Sequence, residues 1–370
     1  MTSNKIILKA NSRILIISLP GVGDTLLATP SIKALKERYK DSIIDVFVMF
    51  KPSKEILTGN PYINEILFFN ILKEGTLKTI KYVLKLRKRK YDASVLVYPG
   101  NRREYNIISW LLGARYRLAH RYNHEHGFTC PWLNTNTILE NDCLHNVEED
   151  YAIMKILDAT PEKYEKPRIY MNDTDYAKAQ DWINQNIKEK QKMLIGFHLG
   201  TAEFKNQIMR RWDYRKFAEL GKRLNENYNA SILIFGGSNE KELKTNCKKL
   251  MEAFAFDIET ENIIDTAALI SKCNLFISND SALMHISAAL DVPTVAIFGP
   301  TNPTWVKPYK CKHLIASSKN LDCMPCFYYS IKPLTCRKYG DFRCIKDLNV
   351  DIVFNAADEL ITSLLSTNQS

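Results

Sequence analysis

Asp24 is a carboxylate in an unexpected place. It follows Pro20-Gly21-Val22-Gly23, where the apolar run "RILIIS" has ended and the helix-like spacing of "PSIKALKERYK" is about to begin. Such an acid can take a proton from a hydroxyl as a general base, or it can cap the free N–H groups of a helix start. Glycines between a strand and a helix more often receive a phosphate, which a carboxylate repels. The dinucleotide fingerprint also needs a third glycine, and counting G-x-G-x-x from Gly21 arrives at Leu26, so a nicotinamide site is disfavoured. Gly21 and Gly23 still allow a tight turn and close approach of another molecule to the backbone. Two local readings stay open: Thr29-Pro30 can be an N-cap and first helical residue, leaving residues 20–28 as an exposed loop, or Asp24 can cap a helix that Pro30 kinks.

Three further stretches carry chemistry. In "FHLGTAEFKNQIMRRW" an apolar run ends in Gly200-Thr201, whose N–H and hydroxyl can bind phosphate oxygens, and the pair Arg210-Arg211 precedes Trp212. Read alone, such a pair is more often a solvated face than an anion site. In "NLFISNDSALMHISAAL" the sequence Asn279-Asp280-Ser281 ends one apolar run and starts a helix, whose orphan N–H groups and positive dipole end can hold an anion. His285 lies one turn after Ser281 on the same side. The bland reading is a capping sequence and a satisfied histidine. Gly299-Pro300-Thr301 ends the next apolar run, however, and two adjacent strand ends with small polar residues make a phosphate or ribose pocket. Finally, Cys323-x2-Cys326 with Cys336 and Cys344 matches a tetrahedral thiolate site for structural zinc or iron. Free thiols packing a loop are the competing reading, because the second pair is eight apart and not the usual repeat.

These residues need elements to hold them at strand ends. Short apolar runs alternate with helical stretches in both halves, the pattern of parallel sheets with crossover helices. The first half has "RILIIS", "IIDVFVMF", "EILFF" and "ASVLVYP"; the second has "KMLIGFHLG", "ASILIFGG", "NLFISND" and "PTVAIFGP". Two Rossmann-like domains follow, residues 1–170 and 185–348, with a charged linker region near 160–190. A chain of 370 residues exceeds the usual single core. The net charge of +10 suits an anionic partner. "LKLRKRKYD" and the cluster Arg102, Arg103, Arg115, Arg117 and Arg121 lack the interleaved aromatics of a single-strand binder, so nucleic acid is not expected. A solvated face competes there with docking of a phosphorylated lipid at a membrane surface. No secretory signal or run of about 18 apolar residues is found. The nine cysteines, five of them scattered, suit a reducing cytoplasm.

Taken together, "RILIISLPGVGDTLLATPSIKALKERY", "GFHLGTAEFKNQIMRRWDYRKFAELGKRL", "ISNDSALMHISAALDVPTVAIFGPTNPTWVKPY" and the later "CMPC" resemble glycosyltransferase family 9, the ADP-heptose:lipopolysaccharide heptosyltransferases. The resemblance implies an α/β, GT-B architecture: two facing Rossmann-like domains with an inter-domain cleft, acceptor on the first and nucleotide sugar on the second. The last helix, residues 350–370, is then expected to pack back on the first domain. It implies inverting transfer of heptose to the lipopolysaccharide inner core, without a catalytic metal, at the inner face of the cytoplasmic membrane. Asp24 matches the proposed general base, Arg210 the cation on the donor diphosphate and Thr201 the small hydroxyl residue after the strand's glycine. Asp280, Ser281, Ala282 and His285 match the nucleotide-sugar motif. Gly21, Gly23, Arg102, Arg103 and Arg121 are acceptor-side candidates from lobe position and charge. Pro20 and Ala282 stand where the family usually has glycine. Transfer of another nucleotide sugar, transfer onto a protein, and a catalytically silent binding protein are the alternatives.

Overall fold

The computed structural model describes residues 5–124, 129–187, 193–318, 321–328 and 332–367. The chain divides into two compact units, with the break between Tyr170 and Met171. In the first, β1 (Arg13–Ser18), β2 (Ile43–Val48), β3 (Glu65–Phe68), β4 (Ala93–Leu96), β5 (Tyr116–Arg121) and β6 (Asn136–Leu139) form one parallel sheet in the order β3-β2-β1-β4-β5-β6. Ile14, Leu15, Ile16 and Ile17 of β1 are fully buried. That is why the run shows no apolar-polar alternation: a central parallel strand is covered on both faces. Leu15 and Ile17 share one cluster with Phe47, Val83, Leu86, Ile108 and Leu112.

The second unit repeats the plan. Its strands β7 (Leu194–His198), β8 (Ser231–Phe235), β9 (Ala255–Asp257), β10 (Leu275–Asn279), β11 (Thr294–Phe298) and β12 (His313–Ser317) lie in the order β12-β11-β10-β7-β8-β9, all parallel. Each sheet therefore reverses its direction of winding beside its first strand, between β1 and β4 and between β7 and β10. At such a reversal the connections leave in opposite directions and open a crevice at the carboxyl ends of the strands. Those carboxyl ends carry Asp24 in one unit and Asn279-Asp280-Ser281 in the other.

Strands β5, β6, β9 and β12 do not appear among the sequence-predicted runs. They lie toward the sheet margins, and only β5 has a fully buried stretch of three, Leu118–Ala119–His120, one of them polar. The closing helix also differs from expectation. Val350–Thr367 belongs to the second unit, where it packs on β10, β11, β12 and the helix Tyr214–Tyr228. Val353, Ala357, Leu360 and Ile361, on one side of it, complete that unit's core. Arg223 pairs with Asp351 at 2.6 Å and lies over the Phe354 ring, fixing the helix start. Among the described residues no helix is long and apolar enough to cross a membrane.

Candidate active site

The chain leaves β1 through Leu19-Pro20 and enters a short helix, Val22–Leu27, with Gly21 as its N-cap. The Gly21 N–H donates to Asp24 Oδ2 at 3.0 Å. Thr25 Oγ1 donates to Gly21 O at 3.0 Å and meets Ser18 Oγ at 2.8 Å, so the turn is tied to the end of the strand. A second helix, Thr29–Arg38, follows at once with Pro30 in its first turn. Residues 20–28 are therefore not an exposed loop; Thr25, Leu26 and Leu27 are buried. Asp24 does cap, its Oδ2 accepting the N–H of the residue that begins its own helix.

A buried acid stands near Asp24, which is itself half-buried. The neighbouring helix Asn146–Met154 carries Asp150, buried, whose Oδ1 accepts the Tyr98 N–H at 2.9 Å just beyond β4. Burial pushes the Asp150 carboxyl well above the usual range, and the charge of Asp24 adds to the shift. Tyr105 donates to Leu19 O at 3.3 Å, and burial raises its hydroxyl to about 12. Farther along the same edge Tyr98 donates to Glu140 Oε2 at 2.8 Å, and His120 Nε2 lies 3.3 Å from Glu149 Oε2. Sequence reasoning missed Asp150, Tyr105, Glu140 and His120. The signal available was a helix, "NVEEDYAIM", too charged on the side that must be buried.

Arg102, Arg103 and Arg121 lie at the carboxyl ends of β4 and β5, on the edge that holds Asp24. Arg102 is the N-cap of the helix Arg103–Leu112, Arg103 is exposed beside Glu104 at 3.2 Å, and Arg121 is exposed. Arg117 is committed to structure instead, donating to Leu133 O and Ala114 O at 2.8 Å each.

In the second unit Asn279 organises the crevice. Its Oδ1 accepts the Trp212 N–H at 3.0 Å and its Nδ2 donates to Leu199 O at 2.7 Å, so one side chain joins the ends of β7 and β10 to the arginine loop. Arg210 Nη1 donates to Asp280 Oδ2 at 2.6 Å and to Thr301 Oγ1 at 3.4 Å; Nη2 donates to Gln207 Oε1 at 2.7 Å. Its guanidinium also lies 5.6 Å from the Phe327 ring centroid. A solvated-face reading of the arginine pair does not survive, since the Arg210 side chain is only 11% exposed. Arg211 takes a different part, donating to Thr201 O at 3.0 Å. The Thr201 hydroxyl itself donates to Gln207 O at 3.0 Å.

Ser281 is the N-cap of the helix Ala282–Ala289, yet its hydroxyl makes no capping bond. It meets His198 Nδ1 at 2.8 Å and Ser278 Oγ at 3.1 Å, which leaves the first N–H groups of the helix without a side-chain acceptor. An anion fits such a start. His198 Nε2 lies 3.3 Å from Glu240 Oε2, and the Gly237 N–H donates to the same oxygen at 2.9 Å. A Cβ on Gly200 would sit 1.4 Å from Glu240 Oε1, so a larger residue there would have to displace the carboxylate that meets His198. At Gly299 a Cβ would sit 2.4 Å from Ile345 Cγ1, so that side chain would have to move. His285 is buried, and burial lowers its pKa to about 4 despite the charge of Asp280, so it is neutral near pH 7. His198, Glu240, Gln207 and Phe327 were not found from the sequence. Only His198 left a sign, as a polar residue ending an apolar strand.

Residues 80–333 match the family description glycosyltransferase family 9 (heptosyltransferase). The chain belongs to glycosyltransferase family 9. It is therefore a glycosyltransferase, with the GT-B type of Rossmann-like units. Among curated proteins it is 26% identical to lipopolysaccharide heptosyltransferase 2 of Escherichia coli K12, over 81% of this chain and 86% of the relative. It is 28% identical to lipooligosaccharide heptosyltransferase 2 of Campylobacter jejuni serotype O:2, over 92% of this chain and 95% of the relative. Among solved structures, the family 9 glycosyl transferase of Veillonella parvula has a TM-score of 0.76 at 21% identity, covering 97% of this chain and 100% of that one. ADP-heptose lps heptosyltransferase II of E. coli has a TM-score of 0.72 at 22% identity, covering 95% and 99%.

In this family 9 chain the cysteine segment is built against the crevice. The N–H groups of Cys326 and Phe327 donate to Pro300 O at 2.9 Å each, and the Leu334 N–H donates to Lys205 O at 2.9 Å. Burial raises the Cys336 thiol, but N–H groups of Phe342, Tyr339, Gly340 and Asp341 outweigh it and bring the thiol down. Burial raises Cys344 to about 12, with Cys326, Cys323 and Cys336 adding to the shift. Among the described residues, no group of three or more His, Cys, Asp or Glu is gathered so as to hold an ion.

Proposed function

We propose that this enzyme moves a heptose from ADP-heptose to the inner core of lipopolysaccharide, at the inner face of the cytoplasmic membrane, with inversion at the anomeric carbon. The observation that supports it best is the pairing of types at the two winding reversals. One crevice presents a half-buried carboxylate, Asp24, held at the carboxyl end of β1 by the Gly21 N–H. The other presents a guanidinium beside an uncapped helix start.

The chemistry is a single displacement. The acceptor hydroxyl oxygen forms the new bond to the anomeric carbon, its proton passes to Asp24, and the bond from that carbon to the diphosphate breaks with its electrons leaving on ADP. Arg210 and the N–H groups after Ser281 stabilise the departing charge. Asp280, Thr301 and Gln207 hold the guanidinium in place before the donor arrives, which lowers the cost of reorganising it. Neutral His285, one turn along the same helix from Ser281, belongs with Asp280, Ser281 and Ala282 to donor binding. Arg102, Arg103 and Arg121 belong to acceptor binding, where phosphorylated sugars need cations. A structural zinc or iron on the four cysteines is a separate part of the proposal; the described residues gather no such ligand group, so the thiols would have to draw together to bind it.

ADP-heptose and a panel of other nucleotide sugars, each with and without core lipid acceptor, test the donor and acceptor by release of the nucleoside diphosphate. Acceptor-dependent ADP release is expected. Turnover of another nucleotide sugar but not ADP-heptose would overturn the donor assignment. Asp24→Asn keeps an acceptor oxygen for the Gly21 N–H, so the fold should persist while transfer falls by about 10²-fold or more. Near wild-type turnover would remove Asp24 as the base.

A further inference from the structure

The helix Thr76–Arg87 seats Thr79, Val83 and Leu86 on the first unit, the last two in the cluster with Leu15 and Ile17. With 3.6 residues per turn, those three occupy one side. The opposite side carries Leu77, Leu84, Lys81 and Lys88, with Lys78 and Lys85 on its flank. Leu77 is 78% exposed and Leu84 43%. An outward side that alternates leucine and lysine is not what a merely solvated face requires.

The patch extends to the next helix. Arg103–Leu112 packs alongside, with Ile108 and Leu112 in the same cluster, so its outward side lies on the same face of the sheet. That side presents Trp110, 50% exposed, and Ile107. From Gly75 to Tyr91 the chain has no carboxylate. Of the acids around it, Glu74 is engaged by Lys78 at 2.9 Å, Glu65 by Arg89 at 2.6 Å and Glu104 by Arg103 at 3.2 Å.

Partner chemistry follows from this composition. Protein interfaces are depleted in lysine at their centres. Nucleic acid gains little from exposed leucines. An anionic bilayer uses both: leucine and tryptophan enter the headgroup boundary, and lysines meet lipid phosphates. We propose that this face docks the first unit on an anionic lipid bilayer, with Leu77, Leu84 and Trp110 entering the interface and Lys78, Lys81, Lys85 and Lys88 meeting the headgroups. It names the surface for the membrane location proposed above, and rests on that reading only for the need to reach a lipid-linked acceptor.

Full-length protein is sedimented with vesicles of phosphatidylcholine alone or mixed with phosphatidylglycerol. Wild type should bind the mixed vesicles, bind neutral ones far less, and be released by high salt. Leu77→Ser with Leu84→Ser, and separately Lys81→Glu with Lys85→Glu and Lys88→Glu, should each weaken binding about tenfold or more. Both variants should keep wild-type circular dichroism and wild-type transfer to a water-soluble core oligosaccharide. Absent binding by wild type, equal binding to neutral and anionic vesicles, or undiminished binding by folded variants would overturn the docking face. Transfer to the soluble acceptor without vesicle binding sinks the docking alone. Vesicle binding without any heptose transfer sinks the acceptor reading and leaves the docking face standing.

Discussion

Arg210 and Asp280 lie 2.6 Å apart with side chains only 11% and 9% exposed, so each is the other's chief compensation for leaving water. Breaking a buried pair by removing one partner costs about 3 kcal/mol or more, because the survivor stays charged. Asp280→Ala should therefore destabilise the second unit by that order. It should also leave Arg210 in want of an anion, which the diphosphate of ADP can supply. Thermal shift on adding ADP is expected to be larger for Asp280→Ala than for wild type; a smaller shift would mean that Asp280 contacts the donor directly. At this scale the sequence was informative wherever a residue type was out of place, as with an acid after glycines or arginines before a tryptophan. It was silent on Glu240, which reaches His198 only because β7 and β8 are neighbours, and on Asp150, whose burial depends on a helix packing across the end of β4.

The elements were legible where burial is complete. Strands β1, β7, β10 and β11 read clearly as apolar runs because both of their faces are covered, while the shorter marginal strands carry mixed sequences. The cysteine segment was legible as a cluster of thiols and illegible as an element, because it has little periodicity and takes its shape from what it touches. Its contacts run to Pro300, Lys205 and Asn206, the last donating to Leu334 O at 2.9 Å, so it braces both the end of β11 and the arginine loop. A structural ion would stiffen that brace, and the thiols would then release protons on binding. Elemental analysis of freshly purified, chelator-free protein should find about one equivalent of zinc or iron, with donor KM rising after chelation. Less than about 0.2 equivalents would assign the thiols to packing alone.

For the whole molecule, the decisive feature is that one winding scheme occurs twice, each time around its own core. The alternation of runs made the repetition visible in the sequence. The destination of the closing helix was not visible, because an amphipathic helix shows that it has an apolar side without showing which sheet will cover it. Two separate cores imply that a ligand held by one unit need not stabilise the other. Every residue proposed to hold the donor, from Gly200 to Thr301, lies in the second unit. A ligand at about 100 times its Kd stabilises the unit that binds it by about 2.7 kcal/mol. In hydrogen exchange, ADP should therefore slow the amides of β7, β10 and β11 and leave those of β1, β2 and β4 near their free rates. Equal protection in both sheets would show that the units respond to the donor as one body, and protection confined to the first sheet would relocate the nucleotide altogether.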